Sequence, residues 1–272
     1  MPHVKVNGID LYYERHGDKG DPLVLVHGYT GDITDWRFQV PEFARTHRVL
    51  VFDNRGHGRS EAPGDRTSYT IEQMADDAEA LIAHVGFERY HLLGHSMGGA
   101  IAQEIALRSP GRLLSLTLED TSYRFAFNRS PAMSQFLALR HRIAQGQGMA
   151  AVAALPQVVP TPPHMPADRK AETDERLARM SVDAFLGAWA ALENWPGTED
   201  RLTAVAVPAL LIYGDLDAPP LVEAMKQMAR LIPMATLEVV PEAGHSPQYE
   251  RPALFNAALR RHVERQSMTA AR

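Results

Sequence analysis

The chain has 272 residues and a formal net charge of -5 at pH 7, with acidic and basic residues interleaved, which argues against nucleic acid or an anionic membrane as a partner. It contains no cysteine, which excludes disulfides, thiol catalysis and thiolate metal sites and favours a reducing, cytoplasmic location. Its N-terminus lacks the apolar segment of a signal peptide, and no apolar run approaches the roughly 18 residues of a membrane span.

The first elements in chain order are two short strands joined by a tight turn. Val4 to Val6 and Ile9 to Arg15 flank Asn7-Gly8, a dipeptide that supplies the positive φ angles of a type I′ turn. The continuous apolar run Leu23 to Val26 instead predicts a strand buried on both faces, and Arg48 to Asp53 is predicted as the next buried strand. We therefore expect an antiparallel edge on a sheet whose later strands are parallel.

Strands and helices then alternate. Apolar residues recur at helical spacing from Ile71 to Val85, with Thr70 and Gln73 as a capping box and Gly86 as the C-terminal cap. The remaining strands are predicted at Tyr90 to Leu93, Leu113 to Leu118, Ala209 to Tyr213 and Leu237 to Val240, and the remaining helices at Ala100 to Arg108, Leu221 to Leu231 and Pro252 to Val263. This alternation predicts an α/β fold, a parallel sheet covered by helices on both faces.

The alternation stops between residues 123 and 200. This segment consists of helical pieces interrupted by Pro156, by the proline-rich run Pro160 to Pro166 and by Pro196-Gly197. A disordered linker is the alternative interpretation, but the segment is too rich in large apolar side chains for that composition. We predict a helical lid at residues 123–200, inserted into a core formed by residues 1–122 and 201–272.

A candidate nucleophile lies in the stretch Gly94 to Gly99, which reads GHSMGG and matches G-x-S-x-G. In a strand-turn-helix context this motif exposes a strained serine, here Ser96, above the end of a sheet. Glycine at positions 94 and 98 allows the strand and the helix to approach closely around the turn. The flanking strand and helix patterns make this interpretation stronger than the motif alone.

A serine hydroxyl needs a base, and the base needs an orienting acid, in the chain order serine, acid, histidine. His245 follows the last predicted strand, and Asp217 follows the strand before it, so both lie where ligands bind in open α/β sheets. Asp217 has two rivals for the acid, Asp215 beside it and Asp120 after the strand that follows the serine. We favour Asp217, with Asp120 second.

Other parts of a hydrolytic site can be assigned by position. The backbone N-H groups of Tyr29 and Met97 are the expected oxyanion donors, because one follows the third strand and the other follows the serine. Large apolar residues suggested for the substrate pocket are Trp36, Phe125, Phe127, Trp189 and Trp195, for which core packing is the alternative. Neither H-E-x-x-H nor G-x-G-x-x-G is present, so we expect no metal and no organic cofactor.

These segments together resemble the α/β-hydrolase superfamily, in particular the lidded serine hydrolases that include small carboxylesterases, 3-oxoadipate enol-lactonases and cofactor-free haloperoxidases. The resemblance rests on His27-Gly28-Tyr29, on Asp53 to Ser60, on Gly94 to Gly99, on Tyr213 to Asp217 and on Gly244 to Pro247. It covers the core and leaves the lid unmatched. It implies an eight-stranded sheet whose second strand is antiparallel, and a structural role for Asp53 to Ser60 beside the site.

The resemblance implies a small-molecule ester hydrolase that forms an acyl-enzyme on Ser96. Serine at position 96, where haloalkane dehalogenases and epoxide hydrolases carry aspartate, argues against those classes. Ser246 stands where meta-cleavage C-C hydrolases usually carry tryptophan, which argues against that class too. An enol-lactonase or other lactone hydrolase is the first alternative, followed by perhydrolysis or acyl transfer and by a ligand receptor with this fold. The sequence leaves both a monomer and a small homo-oligomer open.

Overall fold

The computed structural model describes residues 2–125, 131–155 and 161–270. Eight strands form one sheet in the order β1-β2-β4-β3-β5-β6-β7-β8. The strands are β1 His3–Val6, β2 Ile9–His16, β3 Pro22–Val26, β4 Arg48–Phe52, β5 Tyr90–His95, β6 Leu113–Glu119, β7 Ala209–Gly214 and β8 Ala235–Val240. Strand β2 is antiparallel to both neighbours, and the remaining pairs are parallel, which confirms the predicted sheet.

Ten α-helices lie in the described ranges. They are α1 Val40–Phe43, α2 Ile71–His84, α3 Met97–Arg108, α4 Pro131–Gln147, α5 Met149–Ala153, α6 Arg169–Arg179, α7 Val182–Asn194, α8 Pro219–Leu231, α9 Pro247–Glu250 and α10 Pro252–Ala270. A single 3-10 turn, Ile33–Trp36, lies between β3 and α1. None of the described helices is long and apolar enough to cross a membrane.

Local sequence signals place the turns and helix ends. Asn7 and Gly8 both adopt positive φ, 46° and 84°, as the type I′ turn requires. Thr70 accepts a hydrogen bond from the backbone N-H of Gln73 at 3.0 Å and so caps α2. The Gln73 side chain does not complete the capping box, because its amide donates to Asp77 instead.

The core is divided by the sheet. Alternate residues of a strand point to opposite faces, so Val24 and Val26 belong to one apolar cluster while Leu23 and Leu25 belong to another. The first cluster contains the buried sides of α2 and α3, and the second contains residues of α10 such as Phe255. Both faces of the central strands are therefore covered, as a parallel sheet requires.

Between β6 and β7, the described residues carry helices α4 to α7 and no strand. Helix α7 contributes Ala188 and Trp189 to the first core cluster. Helices α5, α6 and α7 share a smaller cluster that includes Val152, Leu177 and Phe185. The insertion thus has a small apolar core of its own and is joined to the main core through α7. The exact lid boundaries stay a prediction.

Buried ion pairs join this insertion to the loop after β3. Asp35 accepts hydrogen bonds from Arg169 at 2.6 Å and from Arg176 at 2.8 Å, and all three side chains are at most 10% exposed. Burial alone would raise the pKa of Asp35, but Arg176 and Arg169 hold it well below its ordinary value. Asp35 is therefore ionised, and its Oδ1 binds two arginines of helix α6.

Replacing Asp35 tests how strongly these ion pairs hold the insertion. We expect Asp35→Asn to lower the free energy of unfolding by about 3 to 5 kcal/mol, because it removes the charge that pairs with buried Arg169 and one of the two carboxylates, Asp35 and Asp32, that pair with buried Arg176. Denaturant unfolding measures the change. The matched control is Asp168→Asn, whose carboxylate is 60% exposed where it pairs with Arg37; because water screens an exposed pair, this variant should lose much less stability than Asp35→Asn. Equal losses in the two variants would contradict this account.

Candidate active site

Ser96 lies at a sharp turn between β5 and α3. Its backbone has φ 54° and ψ -114°, an unfavourable combination for a residue with a Cβ. The turn is possible because Gly94 and Gly98 flank it: a Cβ on Gly94 would lie 2.1 Å from the Gly98 carbonyl oxygen, and one on Gly98 would lie 2.1 Å from that of Val26. The close approach of β5, α3 and β3 thus requires glycine at both positions.

The three residues predicted as a triad form a continuous hydrogen-bonded chain. His245 Nε2 lies 3.0 Å from Ser96 Oγ, and His245 Nδ1 lies 2.9 Å from Asp217 Oδ2. The three side chains come from the turn after β5, the loop after β7 and the loop after β8, all at the carboxyl edge of the sheet. The Asp217 side chain is 5% exposed and the His245 side chain is 41% exposed. The imidazole is therefore held from its buried side and open on the other.

The charges around His245 favour its protonated form. Burial disfavours an imidazolium, but the Asp217 carboxylate raises the pKa of His245 above its ordinary value of 6.5. Burial likewise disfavours an ionised Asp217, but the charge of His245 keeps the pKa of Asp217 below its ordinary value. The pair is thus arranged for a carboxylate that stabilises a positive imidazole.

This pKa shift predicts the pH dependence of any reaction in which His245 acts as a base. Activity requires neutral His245, so we expect kcat/KM to rise with pH through a midpoint above 6.5. The profile is measured with an ester that does not ionise between about pH 5 and about pH 9. Full recovery of activity after return to neutral pH serves as the control for acid unfolding. A midpoint at or below 6.5 would contradict the assignment of the base.

Asp120 lies next to Asp217 but does not take its place beside the histidine. One oxygen of Asp120 accepts a hydrogen bond from the Gly214 N-H at 3.1 Å. Burial and the neighbouring Asp217 raise the pKa of Asp120 well above its ordinary value. The other oxygen, Oδ2, is buried and has a partner only when it carries a proton that it donates to Asp217. We interpret Asp120 as a neutral carboxylic acid that orients Asp217.

The same residues form a grouping that could hold a metal ion. Asp120, Asp217 and His245 each offer one ligand atom within 4.8 Å of the others. A metal there would have to displace the proton between the two carboxyl groups and the hydrogen bond that His245 makes with Asp217. Because those contacts already satisfy the same atoms, the geometry fits a hydrogen-bonded relay.

Two further residues hold the His245 loop in place. Glu250, at the end of α9, accepts the backbone N-H groups of Gly244 at 2.6 Å and Ser246 at 3.0 Å. His95 Nε2-H donates to the His245 carbonyl oxygen at 2.7 Å. Burial lowers the pKa of His95 to about 3, so this ring is neutral. Sequence reasoning assigned no role to either residue, because position 95 is a free position of the G-x-S-x-G motif and Glu250 lies on a separate turn.

The loop after β3 lies against the serine. A Cβ on Gly28 would lie 3.0 Å from Ser96 Cβ, so the loop passes close to the serine at the residue before Tyr29. Neither the Tyr29 nor the Met97 amide donates a hydrogen bond to another residue of the described chain. The loop is braced by Asp53, which accepts the backbone N-H groups of Ile33 and Arg59, both at 2.8 Å. The Tyr29 and Met97 amides, one on this braced loop and one directly after Ser96, thus have no hydrogen-bond acceptor among the described residues.

The suggested pocket residues separate into three groups. Trp189 lies beside Tyr29, with ring centroids 5.6 Å apart, and so packs against the loop that follows β3. Phe125 and Trp195 pack against each other, and Trp195 Nε1-H donates to Glu104 of helix α3, so Trp195 is a packing residue. Phe127 lies outside the described residues.

Trp36 requires a correction. Its side chain is fully buried in the second core cluster, which contains Phe43 and Phe255, whereas Trp189 belongs to the first cluster. The sheet separates those two clusters. Trp36 is therefore a core residue, and its position directly after the β3 loop gave no sign of which face it would occupy.

Comparison with known proteins agrees with this architecture. The family model described as the alpha/beta hydrolase fold matches residues 21–252, and the chain belongs to this family. It is 32% identical over 262 residues to the dihydrolipoyllysine-residue acetyltransferase component of the acetoin cleaving system of Pseudomonas putida, with 92% of this chain and 66% of that protein covered. It is 31% identical to the "Putative carbamate hydrolase RutD" of Azorhizobium caulinodans, with 95% of this chain and 97% of that protein covered.

Solved structures of hydrolases have the same fold as this chain. A thermophilic esterase from Thermogutta terrifontis, described with malate bound, superimposes with a TM-score of 0.84 at 30% identity and covers 98% of this chain and 100% of its own. The enol-lactonase from Burkholderia xenovorans superimposes with a TM-score of 0.83 at 26% identity, and the match covers 97% of this chain and 100% of the enol-lactonase chain. The chain is thus an α/β-hydrolase with esterase and lactonase relatives, and a hydrolase by family and fold.

Proposed function

We propose that this protein is a serine esterase that hydrolyses a small to medium carboxylic ester through an acyl-enzyme. The observation that carries the proposal is the unbroken chain from Ser96 Oγ to His245 at 3.0 Å and from His245 to Asp217 at 2.9 Å. A hydroxyl within hydrogen-bond reach of an imidazole that is itself held by a carboxylate is an activated nucleophile.

The proposed reaction has two halves. His245 removes the proton of Ser96 as the oxygen attacks the ester carbonyl, and it then protonates the departing alcohol. A water molecule next attacks the acyl-enzyme with His245 again as the base, which releases the acid and restores Ser96. Asp217 holds the imidazole in one tautomer and stabilises its positive charge in both halves, a role that its lowered pKa supports.

The negative charge that develops on the carbonyl oxygen needs donors already in position. The free amides of Tyr29 and Met97 supply them beside Ser96 in this proposal. Removing one donor of such a site typically lowers kcat by about 10² to 10³. Because both donors are backbone groups, rigid support of the Tyr29 loop through Asp53 matters more for the rate than the Tyr29 side chain.

A lactone is the second candidate substrate, since a lactone is a cyclic ester and needs the same groups. The structural similarity to an enol-lactonase at 26% identity favours it. An open-chain ester and a lactone differ in whether the leaving alcohol diffuses away or stays attached to the acyl group. The two substrates would therefore need substrate pockets of different shape.

Direct assay separates these substrates. The wild-type protein is offered p-nitrophenyl esters of increasing acyl length and, in parallel, γ- and δ-lactones, with product formation followed by absorbance and by pH-stat titration. We expect turnover of the short and medium esters, with the optimum length reporting the size of the acyl pocket. If only lactones are hydrolysed, the protein is a lactonase and not an esterase. If neither esters nor lactones are hydrolysed, the proposal is contradicted.

A further inference from the structure

Helix α4 of the insertion presents two polar side chains to the aromatic residues beside the loop after β3. The Arg140 guanidinium lies 5.2 Å from the centre of the Phe185 ring and 5.7 Å from that of Phe136, one turn earlier on the same helix. Phe185 in turn lies 5.5 Å from the Tyr29 ring, and the Tyr29 hydroxyl donates to the Phe185 carbonyl oxygen at 2.9 Å. One aromatic ring, that of Phe185, therefore lies between Arg140 and Tyr29, whose neighbour Gly28 lies against Ser96.

Arg140 differs from the other half-buried or buried arginines of the insertion in lacking an acid. Arg169 and Arg176 are both paired with Asp35. In the described ranges, by contrast, no carboxylate lies within 4.0 Å of the Arg140 guanidinium, and the group makes no hydrogen bond. Burial lowers the pKa of Arg140, which shows that its charge is poorly compensated by the protein alone.

His141 provides a second unpaired polar group at the same place. Its ring lies 5.9 Å from that of Phe185 and 5.8 Å from that of Trp189. Its Nε2 is buried and has no hydrogen-bond partner within the described part of the chain. Burial lowers the pKa of His141, so the ring is neutral at pH 7 and can donate one N-H. A cation and a neutral donor, both without partners, thus adjoin the same aromatic group.

We propose that Arg140, assisted by His141, forms a subsite for an ionised carboxylate, so that the preferred substrate is an ester carrying a second, negatively charged carboxylate group. The inference rests on the proposed esterase function and names its substrate class. An arginine held flat against aromatic rings is well suited to this, because its fork of N-H donors matches a carboxylate and its orientation is already set. The bound carboxylate would supply the counter-charge that the described part of the chain does not place beside Arg140.

The test compares anionic esters with neutral esters of matched length. Monoethyl glutarate carries the carboxylate in its acyl part, and ethyl pentanoate is its neutral counterpart; carboxymethyl butanoate carries it in the alcohol part, with propyl butanoate as counterpart. We expect the wild type to prefer one anionic ester, chiefly through a lower KM. Arg140→Gln should reduce kcat/KM for that ester by about 10- to 100-fold, the range of a hydrogen bond to a charged group, and leave the neutral esters within about twofold.

Two variants serve as controls. Arg142→Gln removes an exposed arginine from the same helix and should leave the kinetics of all four esters unchanged. Arg140→Lys keeps the charge but not the fork, and should recover part of the preference. Equal loss on anionic and neutral esters in Arg140→Gln, or no preference for either anionic ester in the wild type, would overturn the proposal.

A binding measurement separates failure of this proposal from failure of the esterase function. Glutarate is titrated into the wild type and into Arg140→Gln by calorimetry, which needs no turnover. Binding that weakens about 10-fold or more in the variant supports the carboxylate subsite even where no ester is hydrolysed. Absence of glutarate binding to a wild type that hydrolyses neutral esters would overturn the subsite and leave the esterase function standing.

Discussion

Ser96→Ala is expected to abolish ester hydrolysis while leaving the fold intact. In serine hydrolases, loss of the nucleophile lowers kcat by about 10⁶, because the acyl-enzyme can no longer form. Here the hydroxyl lies 3.0 Å from His245 Nε2, and its own backbone amide donates to the Glu119 carbonyl oxygen at 2.9 Å, a contact that alanine retains. The measurement is kcat for a p-nitrophenyl ester, together with the thermal midpoint of each protein.

Ser246→Ala is the matched control for this experiment. Ser246 follows the active-site histidine, and it is the backbone amide of Ser246 that Glu250 binds. Its replacement should change kcat by only a few-fold, since the hydroxyl contributes nothing to the chain that joins Ser96 to Asp217. Comparable activity in wild type and Ser96→Ala would show that another group is the nucleophile, and the acyl-enzyme mechanism would then fail.

Asp217→Asn is expected to have the second largest effect. The substitution keeps the size of the side chain but removes the charge that stabilises the His245 cation and fixes its tautomer. In serine proteases the equivalent loss lowers kcat by about 10⁴. The Asp217 carboxylate also raises the pKa of His245, so any residual activity should show its acid limb at lower pH than in the wild type. Both effects are read from kcat/KM measured across the pH range.

Asp120→Asn distinguishes the two candidate acids. An asparagine at 120 can still donate an N-H to Asp217, as the protonated carboxyl does, so we expect its kcat to stay within about 10-fold of wild type, the cost of weakening one hydrogen bond. Asp120→Ala removes that donor and should be the more damaging of the two. A mild effect of Asp217→Asn together with a severe effect of Asp120→Asn would reverse the assignment and make Asp120 the acid.

The sheet was predictable because its strands carry local signals. Parallel strands buried on both faces read as apolar runs, and the Asn7-Gly8 turn has few conformations open to it. The sharp turn at Ser96 was also predictable from a local signal, because only glycine tolerates the contacts found at Gly94 and Gly98. The order of serine, acid and histidine along the chain then pointed to residues that the sheet brings together at one edge.

Other features depend on contacts that no local pattern encodes. Arg169 and Arg176 are 134 and 141 residues from Asp35 in the chain, and nothing near any of the three identifies its partner. Trp36 was suggested as a pocket residue because of its position after the loop that follows β3, yet it lies in the core on the opposite face of the sheet. Helical spacing predicts which residues share a face, but not what that face meets.

By itself, the sequence determined the α/β alternation, the strained serine turn and the residues that could act as nucleophile, base and acid, because these follow from short-range conformational preferences. The tertiary structure alone showed that Asp217, and not Asp120, is hydrogen-bonded to His245, and that no carboxylate of the described residues pairs with Arg140. Burial and the identity of neighbouring charges set those properties, and both are consequences of how distant segments pack.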